Sequence, residues 1–373
     1  MTPAKPRARD LGVPLPGTPG ALNAITDVAG IEVGAVELLS SVDPSLATRG
    51  IPVQTGVTAI LPRGRDPEPK PVWAGQFSLN GNGEMTGAHW VRDGGWLAGP
   101  ILISNSHAIG ACHTAAVRWM IDTYGATWED NHLWAMPVVA ETYDGVLNDI
   151  NGLHVTEAHA RAAIDAARPG PVREGNSGGG AGMICYEFKG GTGTASRVVP
   201  VDGQDFVVGA LVQANHGLRP WLTVAGHRVG EVMTEDRIID MVTERGSIIV
   251  ILATDLPLSP GQLERLARRA SIGIGRAGTP GGNNSGDIFL AFSTGNEMAL
   301  PQLSGPWRQM TCLNDDLLDP VYLAAVEAVD EAVLNALCAA EDVALARPAR
   351  GVCRAMDTDR LMDLLGAAEA GGR

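Results

Sequence analysis

Apolar residues in this chain come in short consecutive runs, separated by turns that carry glycine, proline, asparagine and serine. Runs near Val57 to Leu61, Val72 to Leu79, Ile101 to Ser104, Met136 to Ala140, Met183 to Phe188, Phe206 to Gln213, Ser247 to Thr254 and Ile288 to Ser293 predict strands. Several are apolar on successive positions, above all Ile248-Ile249-Val250-Ile251-Leu252-Ala253, which predicts burial on both faces. Helical periodicity is confined to fewer segments. Ser259-Pro260-Gly261-Gln262 reads as a capping box with proline at the first helical position, followed by Leu263, Leu266, Ala267, Ala270 and Ile274 on one stripe. Asp319-Pro320 opens a second helix, with Tyr322, Val326, Val329, Val333, Leu337 and Ala340 on one face. Two more are predicted from about Ala108 to Thr123 and from about Thr156 to Ala167, and a charged, helix-like stretch runs from Glu231 to Arg245. Doubly buried strands with amphipathic helices predict layers, sheets inside and helices outside. No repeat and no shift of composition marks a boundary, so residues 1–373 are expected to form one domain.

Composition narrows the function classes. Lys and Arg number 28 against 42 Asp and Glu, a net charge of −14, which speaks against nucleic acid as a partner. No apolar run approaches the ~20 residues of a membrane-spanning helix, so no membrane partner is expected. The segment from Met1 to Asp10 is basic and proline-bearing without an apolar core after it, and a cytoplasmic location is the expectation. Cys112, Cys185, Cys312, Cys338 and Cys353 include no C-x-x-C pair, so neither a disulfide framework nor a metal site is expected. The run from Gly175 to Gly182 looks like a phosphate cradle but lacks a G-K-[ST] ending, and a strand rather than a helix is predicted after it. It is read as a turn packed close to the site, and no cofactor is expected.

Four polar segments at strand ends can carry chemistry. In Gly246-Ser247 a serine opens a buried strand directly after glycine. Hydrolysis of that peptide bond would give Ser247 a free α-amine beside its own hydroxyl, nucleophile and base in one residue. The plainer reading is a serine that only starts a strand, and on the dipeptide alone that reading is favoured. Gly278 to Asp287 is a polar, glycine-rich approach to another buried strand, in which Ser285 and Asp287 are spaced to share a face; a β-turn explains it equally well. Gln213-Ala214-Asn215-His216-Gly217 offers Asn215 as an oxyanion donor, or only closes a hairpin. Glu141-Thr142-Tyr143-Asp144-Gly145 places acids at a strand end, able to hold a substrate ammonium or only to form a polar turn.

Taken together with Gly190 to Arg197 and with Asn283-Asn284-Ser285-Gly286-Asp287, these motifs resemble the L-aminopeptidase D-amidase/esterase family, to which the β-aminopeptidases are close relatives. The resemblance runs from about Asn23 to near Ala340 through five ordered motifs. It implies a four-layer αββα sandwich similar to amino-terminal-nucleophile hydrolases, with different connectivity. It also implies self-cleavage between Gly246 and Ser247, leaving fragments 1–246 and 247–373 associated. By the same matching Ser247 is the nucleophile, Asn215 the oxyanion donor and Tyr143 the tyrosine beside the reacting carbonyl. Ser285 and Asp287 form the pair that contacts the nucleophile, glutamate being expected where Asp287 stands, and Glu141 receives the substrate's amine. The implied substrates are small peptides, amino-acid amides and esters with glycine or alanine of either hand at the amino terminus; a homotetramer is expected. Ornithine acetyltransferases and nylon-oligomer hydrolases resemble this architecture too, but cleave before threonine. An uncleaved, non-catalytic binding protein of the same fold is the remaining alternative.

Overall fold

The computed structural model describes residues 5–131, 133–238, 246–348 and 351–371. In chain order its main strands begin with β1 (Glu32–Leu39), β2 (Gln54–Leu61), β3 (Val72–Ser78), β4 (Trp96–Leu97), β5 (Ile101–Asn105) and β6 (Val138–Thr142). There follow β7 (Ile184–Cys185), β8 (Phe188–Lys189), β9 (Gly191–Val201), β10 (Gln204–Asn215), β11 (Ser247–Thr254) and β12 (Gly286–Ser293). The helices are α1 (Ala88–Gly94), α2 (Ile109–Asn131), α3 (Glu157–Asp165), α4 (Pro260–Arg276), α5 (Asp319–Cys338) and α6 (Thr358–Gly371).

Two sheets stack face to face. One has the order β1-β2-β5-β6, the other β4-β3-β12-β11-β10-β9. Between them lies an apolar layer in which Ile60, Ile101, Ile103 and Val138 meet Ala74, Leu211, Ile249, Ile251 and Phe292. The outer face of the four-stranded sheet (Val57, Ala59, Leu102, Val139) is covered by α2 and α3 through Cys112, Ala116, Trp119 and Ile164. The outer face of the six-stranded sheet (Val212, Ile248, Val250, Leu252, Phe289) is covered by α4 and α5 through Leu263, Leu266, Ala270, Val329 and Val333. The order of layers is therefore αββα, as expected. It explains the unbroken apolar run of β11: side chains alternate between faces, and Ile249, Ile251 and Ala253 fill one core while Ile248, Val250 and Leu252 fill the other. Each of the isoleucine, valine and leucine side chains contributes roughly 1.5–3 kcal/mol on burial. Because both faces are apolar, burial alone does not set the register of β11. The ladders do, pairing Ser247 with Asn215 of β10 and with Gly286 of β12.

The capping box at α4 forms as read: Gln262 Oε1 accepts from the Ser259 N–H at 2.9 Å and the Ser259 hydroxyl faces the Gln262 N–H at 3.4 Å. Two expectations change. The run Met183 to Phe188 is not one strand but the hairpin β7–β8, because Tyr186 and Glu187 at its centre take left-handed backbone angles (φ 49° and 60°). The helix expected from Glu231 to Arg245 is absent over its described part; a short 3-10 turn, Val229–Glu231, leads into turns through residue 238, and residues 239–245 lie outside the described residues. The run from Gly175 to Gly182 ends in a 3-10 turn, Gly178–Gly182, wedged between the two sheets. A Cβ at Gly178 would lie 2.2 Å from Thr58 Oγ1, and one at Gly180 2.1 Å from the Thr192 nitrogen. These glycines serve backbone packing.

Candidate active site

Ser247 opens β11 near the middle of the six-stranded sheet, flanked antiparallel by the end of β10 and parallel by the start of β12. Its hydroxyl donates to the Gly246 carbonyl at 2.7 Å and accepts from the Gly286 N–H at 3.1 Å. Gly246 is required by crowding rather than by an unusual φ: a Cβ there would stand 2.0 Å from the Asn215 carbonyl oxygen.

Asn215 ends β10 opposite Ser247. Its Oδ1 accepts from the Ile184 N–H at 2.8 Å, and its Nδ2 donates to the Tyr143 carbonyl at 3.0 Å. An amide nitrogen carries two hydrogens, so one donor is left for a further acceptor. Ser285 and Asp287 bracket Gly286 at the start of β12. The Ser285 hydroxyl donates to Asp287 Oδ1 at 2.5 Å, so the aspartate reaches its serine despite being one methylene shorter than glutamate. Asp287 Oδ2 accepts from Asn80 Nδ2 at 3.1 Å. Burial pushes the Asp287 carboxyl above the ordinary aspartate value, and the hydrogen bonds from Ser285, Asn80 and the Ile248 backbone act in the opposite direction.

The other sheet supplies Glu141 on β6. It is buried; Oε1 accepts from the Glu84 N–H at 3.0 Å and Oε2 from the Ser106 hydroxyl. Burial raises its pKa first, the bonds from Ser106 and the Glu84 backbone lower it, the Glu84 charge raises it and His107 lowers it. Among the described residues no lysine or arginine pairs with this carboxylate, so a ligand cation would relieve its desolvation. Tyr143 follows β6 and is 41% exposed. Its ring folds over Gly145, where a Cβ would lie 2.2 Å from the phenol oxygen. Among the described residues its hydroxyl makes no hydrogen bond to Ser247, so only its carbonyl joins the cluster.

Sequence reasoning missed the loop Asn80-Gly81-Asn82-Gly83, which joins the two halves. Asn80 Nδ2 donates to the Gly282 carbonyl at 3.0 Å as well as to Asp287, and Asn82 Nδ2 donates to the Asn284 carbonyl at 2.6 Å. The repeated Asn-Gly was a visible turn signal directly after a predicted strand. Ser106 was missed as well; nothing in its neighbourhood singled it out. His216, next to Asn215, is directed to other partners: its Nδ1 lies 3.7 Å from Cys185 Sγ, its ring packs edge-on against Tyr186, and burial lowers its pKa to about 3. Among the described residues no group of three or more His, Cys, Asp or Glu is arranged to hold a metal ion.

The model of peptidase family S58 matches residues 23–349. The chain belongs to peptidase family S58. Within it, the chain is 50% identical over 349 residues to the β-peptidyl aminopeptidase BapA of Sphingosinicella microcystinivorans, covering 90% of this chain and 86% of that protein. It is 56% identical to the crystallised L-aminopeptidase D-Ala-esterase/amidase of Ochrobactrum anthropi, with a TM-score of 0.92 over 98% of this chain and 99% of the other. That structure is described as a prototype for the serine aminopeptidases and a variant of the Ntn hydrolase fold. A Burkholderia β-aminopeptidase superimposes with a TM-score of 0.85 at 44% identity over 97% of this chain and 99% of the other. As a member of S58 this protein is a hydrolytic aminopeptidase of the serine type with an Ntn-hydrolase-like sandwich.

Proposed function

We propose that this S58 protein cuts itself between Gly246 and Ser247, and then releases small amino-terminal residues from peptides, amides and esters through an acyl-enzyme on Ser247. The observation that carries the reading is the seat of the Ser247 hydroxyl, on the carbonyl of the bond to be cut and on the Gly286 N–H. In the first reaction the hydroxyl attacks the Gly246 carbonyl carbon, the C–N bond breaks, and water resolves the ester to leave Ser247 with a free α-amine. In the second, the substrate ammonium docks on Glu141 and the hydroxyl attacks the first carbonyl. The α-amine takes the hydroxyl proton, with Ser285 and Asp287 orienting it, and returns it to the leaving amine or alkoxide. Water then releases the amino acid. An unperturbed α-amine titrates near ~7.7–8.0, so a useful fraction is neutral near pH 7. Asn215 supports the oxyanion with its spare N–H; Tyr143 assists if its side chain turns inward. His216, packed on Cys185 and Tyr186 with its basicity lowered by burial, leaves the amine as the better base.

The relatives suggest two substrate classes. The O. anthropi protein is named for L-amino-acid and D-alanyl substrates, and the Sphingosinicella protein for β-peptides. Residues of the glycine and alanine size, of either hand, are the first reading, and β-amino residues the second. Steady-state assays on the p-nitroanilides of glycine, L-alanine, D-alanine and β-homoalanine separate them. Highest kcat/KM on the α-residues supports the first reading; a preference for the β-homoalanyl substrate replaces it with the second.

A further inference from the structure

Glycines surround Ser247, but they are not alike. A Cβ at Gly246 would strike the Asn215 carbonyl oxygen at 2.0 Å, and one at Gly286 would strike the Asn82 carbonyl oxygen at 2.4 Å. Both are glycine because another backbone stands there. Gly83 is different. The nearest atoms to a Cβ at this position are Glu141 Oε1 at 3.1 Å, Ile288 Cδ1 at 3.4 Å and Gly286 Cα at 3.6 Å. Its φ lies outside the left-handed region, so an L-residue can be accommodated by the backbone. The missing side chain therefore leaves a space bounded by the carboxylate of Glu141, the tip of Ile288 and the backbone that touches the Ser247 hydroxyl.

That space lies where a substrate must pass. A molecule with its ammonium on Glu141 and its first carbonyl at Ser247 has to run its α-carbon, and begin its side chain, between those two groups. The loop has little freedom to retreat. The Asn80 and Asn82 amides tie it to the Gly282–Asp287 segment, the Leu79 N–H donates to the Asp287 carbonyl at 2.9 Å, and the Glu84 N–H donates to Glu141 at 3.0 Å. We propose that Gly83 and Ile288 lie side by side in the wall of the slot for the substrate's amino-terminal residue, and that the missing side chain at 83 sets how large that residue can be. This rests on the roles given above to Ser247 and Glu141.

The test is kcat/KM for wild type, Gly83→Ala and Ile288→Val on the p-nitroanilides of glycine, L-alanine, D-alanine and L-valine, expressed per cleaved chain as counted by intact mass. Gly83→Ala adds one methyl to one wall, and a single methylene in a shaped apolar pocket is worth roughly tenfold or more in discrimination. Its losses are expected to be smallest on glycine, about tenfold or greater on alanine and larger on valine, and to reside mainly in KM. Ile288→Val removes a methyl from the adjoining part of that wall and is expected to shift preference the other way, raising valine relative to glycine. An equal loss on all four substrates with Gly83→Ala, or an unchanged ranking in both variants, overturns the proposal. N-acetylglycine p-nitroanilide tests the underlying reading separately: if wild type cleaves it as well as the free-amine compound, the ammonium dock on Glu141 fails, whatever the size ranking shows.

Discussion

On the six-stranded sheet, Ser247, Asn215, Ser285 and Asp287 sit at the ends of three neighbouring strands, and the backbone ladders fix their spacing. On the four-stranded sheet, Glu141 and Tyr143 lie at the end of edge strand β6 and meet the first group across the Asn80–Glu84 loop. Burial does not separate the two groups: Ser285, Asp287, Ser247 and Asn215 are at 0, 1, 5 and 6% and Glu141 at 7%, and only Tyr143, at 41%, is exposed. Groups that must hold the reacting atoms to a fraction of an ångström hang on a ladder buried between two apolar layers. Groups that must admit and release a substrate are on an edge, whose open side is covered by the loop's continuation: the Thr86 N–H donates to the Val139 carbonyl at 2.9 Å. On the proposed roles, the acyl chemistry falls to the six-stranded sheet and the ammonium dock to the four-stranded one, with Ile288 of β12 as the point where the two functions meet.

Substitutions graded by effect probe this division. The largest is expected for Ser247→Ala, which removes the hydroxyl from both reactions: intact mass should show one uncleaved chain, and no hydrolysis should be measurable. Asn215→Ala should lower kcat by roughly 100- to 1,000-fold with little change in KM, the usual cost of an oxyanion donor; stopped-flow or steady-state kinetics on alanine p-nitroanilide reads it. Glu141→Gln should lower kcat/KM on free-amine substrates by on the order of 10- to 100-fold, the worth of a hydrogen bond to a charged group, and should act mainly through KM. Its pH profile adds a second readout. Burial raises the Glu141 carboxyl, and protonation removes the charge that holds the ammonium, so wild-type kcat/KM should fall with acid already above the ordinary carboxylate range. In Glu141→Gln that limb should move or vanish. Tyr143→Phe should cost least, under about tenfold in kcat, because the hydroxyl lies over Gly145 and away from Ser247. A loss as large as that of Asn215→Ala would mean that the ring swings onto the reacting carbonyl, and the recognition side would then share in the chemistry.

Much of the chemical half was legible in the chain. A serine after glycine at the start of an unbroken apolar run, and a serine two residues before an aspartate at the start of another, are patterns that doubly buried strands leave in sequence. What joined them was not legible. That Ser247 pairs with both Asn215 and Gly286 is a matter of strand order, which short apolar runs do not encode. β1 and β9 passed unnoticed because their positions mix glycine, threonine, serine and acids with the apolar residues, and burial in β9 comes from α5 packing against Gly193 rather than from large side chains. The Asn80–Gly83 loop was missed because its function lies in amides reaching carbonyls some 200 residues away in sequence. Gly246 was legible as a glycine before a serine, but the close approach of β10 that forbids a side chain there was not.

The central claim is that the bond before Ser247 is broken in the working enzyme. Denaturing intact-mass analysis of the purified, active wild-type protein, with amino-terminal sequencing of its fragments, addresses it directly. Two chains, residues 1–246 and 247–373, the second beginning at Ser247 with a free amine, are the predicted result. A single uncleaved chain of 373 residues with full aminopeptidase activity would contradict it.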